Sequence, residues 1–211
     1  MNIMKNKKRI ALFGGSFDPP HSGHVVAITV IVKSNLVDEI WLVPAGIRDD
    51  KASKVSNDDR KAMISVMLLE TFDTKVPVHM NTTQIDKSWE LSTTSGLITE
   101  MEMLYPDYKF SFVIGSDLIQ EIPKWKSPEK LMKKGFFLVV PRLGDKIPDV
   151  LPDYVTLVPA KNIALTNASS TMVRKLLSEG ESLEGIVPPS VINYIVKNNL
   201  YKYKTTKANQ V

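Results

Sequence analysis

The chain has 211 residues, 43% hydrophobic and 24% charged, proportions that suit one soluble globular unit and exclude disordered or collagen-like classes. It has no cysteine, which excludes disulfide scaffolds, thiolate zinc sites and thiol catalysis. The net charge of +4 is concentrated at the ends, in Lys5, Lys7, Lys8, Arg9, Lys202, Lys204 and Lys207, so the body offers no basic face for a nucleic-acid polymer.

In chain order, residues 9–13 (RIALF) read as a buried strand that stops at Gly14-Gly15. Residues 24–36 are apolar nearly all round, as a helix packed between a sheet and its neighbours would be. A second strand is predicted over 39–43, followed by a helix that Asn57 caps and whose stripe is Ala62, Met63, Val66 and Met67. Residues 76–80 give a third strand, 97–104 a helix, 110–114 a fourth strand, 136–140 a fifth ended by Pro141, and 154–158 a sixth. Two helices close the pattern, over 169–178 and 189–198. Strands apolar on both faces and alternating with helices predict an α/β fold, a doubly wound parallel sheet with a small C-terminal helical part. One domain covers 1–211: a sheet core over 9–165, a helical part over 166–200, and basic tails at 1–8 and 201–211. No apolar run reaches the ~18 residues that span a bilayer, and the N-terminus carries no signal-peptide pattern. A cytoplasmic location is expected.

Ligands of such sheets lie beyond the carboxyl ends of the strands, which directs attention to the loops after Phe13, Val43, Ile114 and Val158. The first reads Gly14-Gly15-Ser16-Phe17-Asp18-Pro19-Pro20-His21-Ser22-Gly23-His24. Its glycines let backbone approach a phosphate, and the helix starting near Ser22 aims free N–H groups at the same place. His21 and His24, two of three histidines in the chain, fall on one side of that helix start as phosphate donors. A zinc site is not expected, because the third histidine, His79, is remote and no residue is assigned as a metal ligand. No GxxxxGK[ST] loop is present. A second anion site is predicted where Ser169, Ser170 and Thr171 open a helix, with Arg174 one turn along.

The 14–24 run resembles the GGxFDPxHxGH signature of the nucleotidyltransferase superfamily, and within it is most similar to nicotinate-nucleotide adenylyltransferases. Ser169, Ser170, Thr171 and Arg174 match the ISSTxxR motif of that family, with Ala168 in place of Ile. Gly115 and Asp117, followed by Trp125, resemble its GxD…W segment, and Arg60 and Met63 match the start of one of its helices. The resemblance implies a Rossmann-like nucleotidyltransferase fold and transfer of AMP from ATP, with Mg²⁺, to nicotinate mononucleotide. It implies His21, His24 and Arg174 as catalytic, and Gly14, Gly15, Ser16, Phe17, Lys51, Gly115, Asp117, Ser169, Ser170 and Thr171 as the ATP site. Thr93, Thr94, Trp125 and Arg48 would hold the acceptor. Two departures touch the acceptor side: Asp50 stands where a histidine is usual, with Lys51 keeping its spacing, and the 91–94 segment lacks a Tyr. Nicotinamide mononucleotide or phosphopantetheine as acceptor, a synthetase fragment, and a catalytically silent nucleotide sensor stay open. The expected partners are ATP and a pyridine mononucleotide, without nucleic acid polymer or membrane, and self-association is left open.

Overall fold

The computed structural model describes residues 7–46, 53–72, 76–87, 93–134 and 137–203. Six strands alternate with helices: β1 (Lys8–Gly15), α1 (Ser22–Lys33), β2 (Glu39–Pro44), α2 (Asn57–Thr71), β3 (Val78–Met80), α3 (Thr83–Asp86), α4 (Thr94–Leu104), β4 (Tyr108–Gly115), α5 (Pro128–Lys134), β5 (Phe137–Val140), β6 (Val155–Leu157), α6 (Ser170–Glu179) and α7 (Pro189–Lys197). Every strand pairing is parallel and the spatial order is β3-β2-β1-β4-β5-β6. The order reverses between β1 and β4, so their carboxyl ends, Gly14-Gly15 and Ile114-Gly115, diverge into a crevice open to a ligand.

Alternation along β1 feeds two cores. Ala11 joins Ile28, Ile31, Leu42, Met63, Met67, Leu138 and Val173 on one face. Ile10 and Leu12 join Trp41, Ile98, Phe110, Phe112, Phe137 and Val139 on the other. Burial on both faces is why the strands read as unbroken apolar runs.

All six predicted strands and the main helices are found, with shifted ends. The cap of α2 is Ser56, not Asn57: its backbone is extended and its hydroxyl accepts from the Asp59 N–H. Asn57 is instead the first helical residue, and its Oδ1 accepts from Arg60 Nη2 at 2.7 Å. The sequence reading lacked α3, α5 and two 3-10 segments, Ser116–Lys124 and Leu200–Lys202. Nor is the N-terminal tail free as far as residue 8, since Lys8 pairs with Glu39 at the start of β1. At the other end Tyr201, assigned to a tail, bonds back into the core through Asp18.

Candidate active site

The crevice divides into two adjoining chambers. The smaller, about 230 Å³, is lined by Ser16, His21, Gly23 and His24 from the first loop and by Thr166, Ala168, Ser169, Ser170 and Thr171 from the approach to α6. Segments about 150 residues apart in sequence thus share one wall. The larger, about 560 Å³, is lined by Gly14, Gly15, Ala45, Gln84, Thr93, Thr94, Leu118, Trp125 and Lys126. Phe13, Val113, Ile114 and Gly115 line both.

Gly23 sets how closely the two segments meet. A Cβ there would lie 2.9 Å from the Ala168 carbonyl oxygen and 2.9 Å from the His21 ring, so any larger residue drives α1 and α6 apart. Hydrogen bonds tie the same junction: Ser170 Oγ donates to the Pro19 carbonyl at 3.0 Å, and Arg174 Nη1 donates to the Asp18 carbonyl at 2.7 Å. Gly14 and Gly15 also serve the packing. Their missing side chains make room for the Phe112 and Phe17 rings beneath the loop, and both line the larger chamber. Phe17 is fully buried, its ring centroid 4.7 Å from that of His24, so it supports the site from below.

The histidines form a reciprocal cap. His21 is the N-cap of α1, and its Nδ1 accepts from the Gly23 N–H at 3.1 Å. His24, three residues on, accepts from the His21 N–H through its own Nδ1 at 3.1 Å. With both Nδ1 atoms accepting, this network assigns the proton of each neutral ring to Nε2, which remains a donor. Burial and the Arg142 guanidinium push His21 down to about 4. His24 is held well below the usual histidine range by burial, then by His21 and Arg142. At neutral pH the pair is therefore two uncharged donors whose rings are 3.8 Å apart.

The capping also corrects the expectation that α1 offers free amides. Ser22 N–H donates to the Ile186 carbonyl at 2.8 Å, Gly23 N–H to the His21 ring, and His24 N–H to the His21 carbonyl. At α6, by contrast, Ser169 Oγ accepts from Met172 N–H, and among the described residues the Ser170 and Thr171 N–H groups take no partner. The open, positive helix end is that of α6.

Arg174 stands behind the chamber wall, its Nη1 on the Asp18 carbonyl and its Nη2 on Thr171 Oγ1 at 3.2 Å. Other N–H donors of the same fork remain for a ligand. Asp117 accepts from Arg142 Nη1 at 3.2 Å, and its carboxylate fills the space that a Cβ on Gly115 would take. Thr93, Thr94 and Trp125 meet in the larger chamber. Thr93 caps α4 through the Gly96 N–H, and Trp125 packs edge-on against Phe112 and Phe137. Arg48 and Lys51 lie outside the described residues, as do Asp50 and Leu91-Ser92.

Arg142, Thr166, Gln84 and Lys126 are lining residues that sequence reasoning missed. Arg142 was within reach: it follows β5, whose carboxyl end borders the switch point, yet the loop after Val140 was not among those singled out.

A family model described as cytidylyltransferase-like matches residues 12–176. A probable nicotinate-nucleotide adenylyltransferase of Halalkalibacterium halodurans is 34% identical over 92% of this chain and 92% of its own. The nicotinate-nucleotide adenylyltransferase of Bacillus subtilis is 27% identical over 92% of this chain and 99% of its own. Among solved structures, Plasmodium falciparum nicotinic acid mononucleotide adenylyltransferase complexed with NaAD superposes with a TM-score of 0.80 at 28% identity, covering 93% of this chain and 98% of that one.

Proposed function

The chain belongs to the cytidylyltransferase-like family, among the nicotinate-nucleotide adenylyltransferases, and from that footing we propose how its two chambers work. They carry AMP from ATP to nicotinate mononucleotide, giving deamido-NAD and pyrophosphate. The smaller chamber takes the triphosphate and the larger takes the pyridine nucleotide. The observation that carries this reading is the shared wall of residues 16–24 and 166–171.

An ionised oxygen of the acceptor's 5′-phosphate attacks the α-phosphorus in line. The bond from that phosphorus to the bridging oxygen breaks, and the electron pair leaves on pyrophosphate. The nucleophile is already charged, so no base is required, and the protein contributes position and charge stabilisation. His21 and His24 donate through Nε2–H to oxygens of the reacting phosphate. The open amides of Ser170 and Thr171, the positive end of α6 and the remaining donors of Arg174 receive the departing pyrophosphate. Arg142 gives a further cation at the rim, while Lys51 is assigned to ATP and Arg48 to the acceptor. Asp117 accepts from ribose hydroxyls.

Mg²⁺ enters this reading as part of the substrate, MgATP, where it neutralises phosphate charge. Among the described residues no group of three His, Asp or Glu side chains could ligate a cation, and a hydrated ion carried on phosphates suits such a donor set. A cytoplasmic location goes with the reading, and no helix among the described residues is long and apolar enough to cross a membrane.

The acceptor side favours a carboxylate. Lys126 and the start of α4 at Thr93-Thr94 line the larger chamber, and among the described residues its lining includes no Asp or Glu, so its polarity suits an anionic pyridine. Trp125 offers a flat surface for the ring. Pyrophosphate release is measured with MgATP and either nicotinate or nicotinamide mononucleotide. The expected kcat/KM is about tenfold or more in favour of nicotinate, a difference of about 1.4 kcal/mol. Preference for nicotinamide overturns the acceptor assignment, and turnover with neither overturns the reaction.

A further inference from the structure

Tyr201 has a backbone that its residue type rarely adopts. It lies just beyond α7 with φ 58° and ψ 14°, between Asn199 at φ 51° and Lys202 at φ 55°. A bulky L-residue in the left-handed region persists only where its surroundings over-determine it. Two contacts hold this one: it packs against the core below α1, and its hydroxyl donates to Asp18 Oδ1 at 2.7 Å across 183 positions of sequence.

Asp18 is 3% exposed and sits inside the loop of the smaller chamber. Its second carboxylate oxygen accepts from the Lys54 N–H at 2.8 Å. Opposing charge comes from Arg60, itself 1% exposed, whose Nη1 donates to the Ser16 carbonyl at 3.0 Å and whose field reaches Asp18. The main-chain carbonyls of Asp18 and Pro19 hold Arg174 and Ser170. One short stretch of backbone therefore faces two ways, with its carboxylate edge on Tyr201 and residue 54 and its carbonyl edge on α6.

We propose that Tyr201 is a positioning residue for the nucleotide-donor half of the reaction. Through Asp18 it fixes the orientation of residues 18–19, and through their carbonyls it sets Arg174 and Ser170 against the triphosphate. It touches neither substrate. The proposal rests on the reading above only for the identity of the donor, ATP.

Tyr201→Phe keeps the ring and removes the hydroxyl. By titration calorimetry MgATP is expected to bind about tenfold more weakly, as loss of a hydrogen bond to a charged group would give if fully transmitted. KM for the acceptor stays unchanged. Adding Tyr201→Phe to Arg174→Lys should weaken MgATP binding clearly less than tenfold further, because, of the two groups it positions, only Ser170 is left. All variants are compared below their unfolding transitions, followed by circular dichroism. A purely structural tyrosine would lower the melting temperature and leave MgATP affinity alone, or give additive losses in the double variant, and either result overturns the proposal. If the unmodified chain binds MgATP but turns over no pyridine nucleotide, the assigned reaction fails while the calorimetric comparison still decides the role of Tyr201. Failure of the unmodified chain to bind MgATP overturns both.

Discussion

The smaller chamber is cinched by bonds that run from one end of the chain to the other, whereas the larger is walled mainly by apolar surface and short polar caps. Around the first, Ser170 and Arg174 clasp the carbonyls of Pro19 and Asp18, and Gly23 lets the Ala168 carbonyl approach. Around the second, Phe112, Leu118 and Trp125 supply the wall, with hydrogen bonding centred on the Thr93 cap and on Ser95 with the Lys126 carbonyl. A triphosphate needs many donors held at fixed distances, and preorganisation supplies them. A pyridine ring needs mainly a flat slot, which is less demanding of long-range bonding.

Substitutions on either side of this divide should separate cleanly. The largest effect is expected from His24→Ala. It removes one of two donors to the reacting phosphate and should lower kcat about 10²–10³-fold, read by pyrophosphate release. It also removes half of the cap on α1, so melting falls by a few degrees, as loss of about 1 kcal/mol would give. Near-normal turnover would remove His24 from the mechanism.

Arg174→Ala comes next. It deletes a cation from the triphosphate side, so KM for ATP should rise about tenfold or more while KM for the acceptor holds. Equal rises in both would mean that the chambers are not independent. Trp125→Ala is the mirror case with a smaller effect: KM for the acceptor rises up to about tenfold, and MgATP affinity by calorimetry does not move. A matching loss of ATP affinity would place Trp125 in the structural core alone, where its packing on Phe112 and Phe137 already puts part of it.

The smallest effect is a flat line. Both histidines titrate below their ordinary value, so the folded chain refuses protons that the unfolded chain accepts below about 6.5. Their contribution to stability is complete above that pH and is lost as pH falls from there toward about 4, where His21 protonates in place. Melting temperature should therefore fall over that interval, while kcat with saturating substrates stays level from pH 8 to 6.5. Loss of half the rate at pH 6.5 would show an ordinary imidazole in the chamber.

The same contrast explains what was legible in the sequence. Strands β1, β2, β4 and β5 announce themselves because burial on both faces demands unbroken apolar runs. The 14–24 loop and the start of α6 are readable because each sets particular residue types at fixed spacing along a short stretch of chain. Residues such as Arg142, Thr166 and Lys126 enter the chambers singly, at places fixed by tertiary packing, with no local pattern to betray them. The Ser116–Lys124 segment has Pro123 inside a 3-10 turn, which obscures any period. The packing role of Gly14 and Gly15 is illegible for a related reason: their neighbours, Phe112 and Phe17, cannot be known until the sheet is assembled.

Phe13, Val113, Ile114 and Gly115 form a common sill under both chambers, and all four lie in β1 and β4, paired side by side at the centre of the sheet. The spacing of the two chambers is thus set by the paired centre of the sheet rather than by its loops. On the proposed reading, a descendant that rewrote Gln84, Thr93, Thr94, Leu118, Trp125 and Lys126 would admit another phosphorylated guest in place of the pyridine, and the inherited chemistry would run at the same separation.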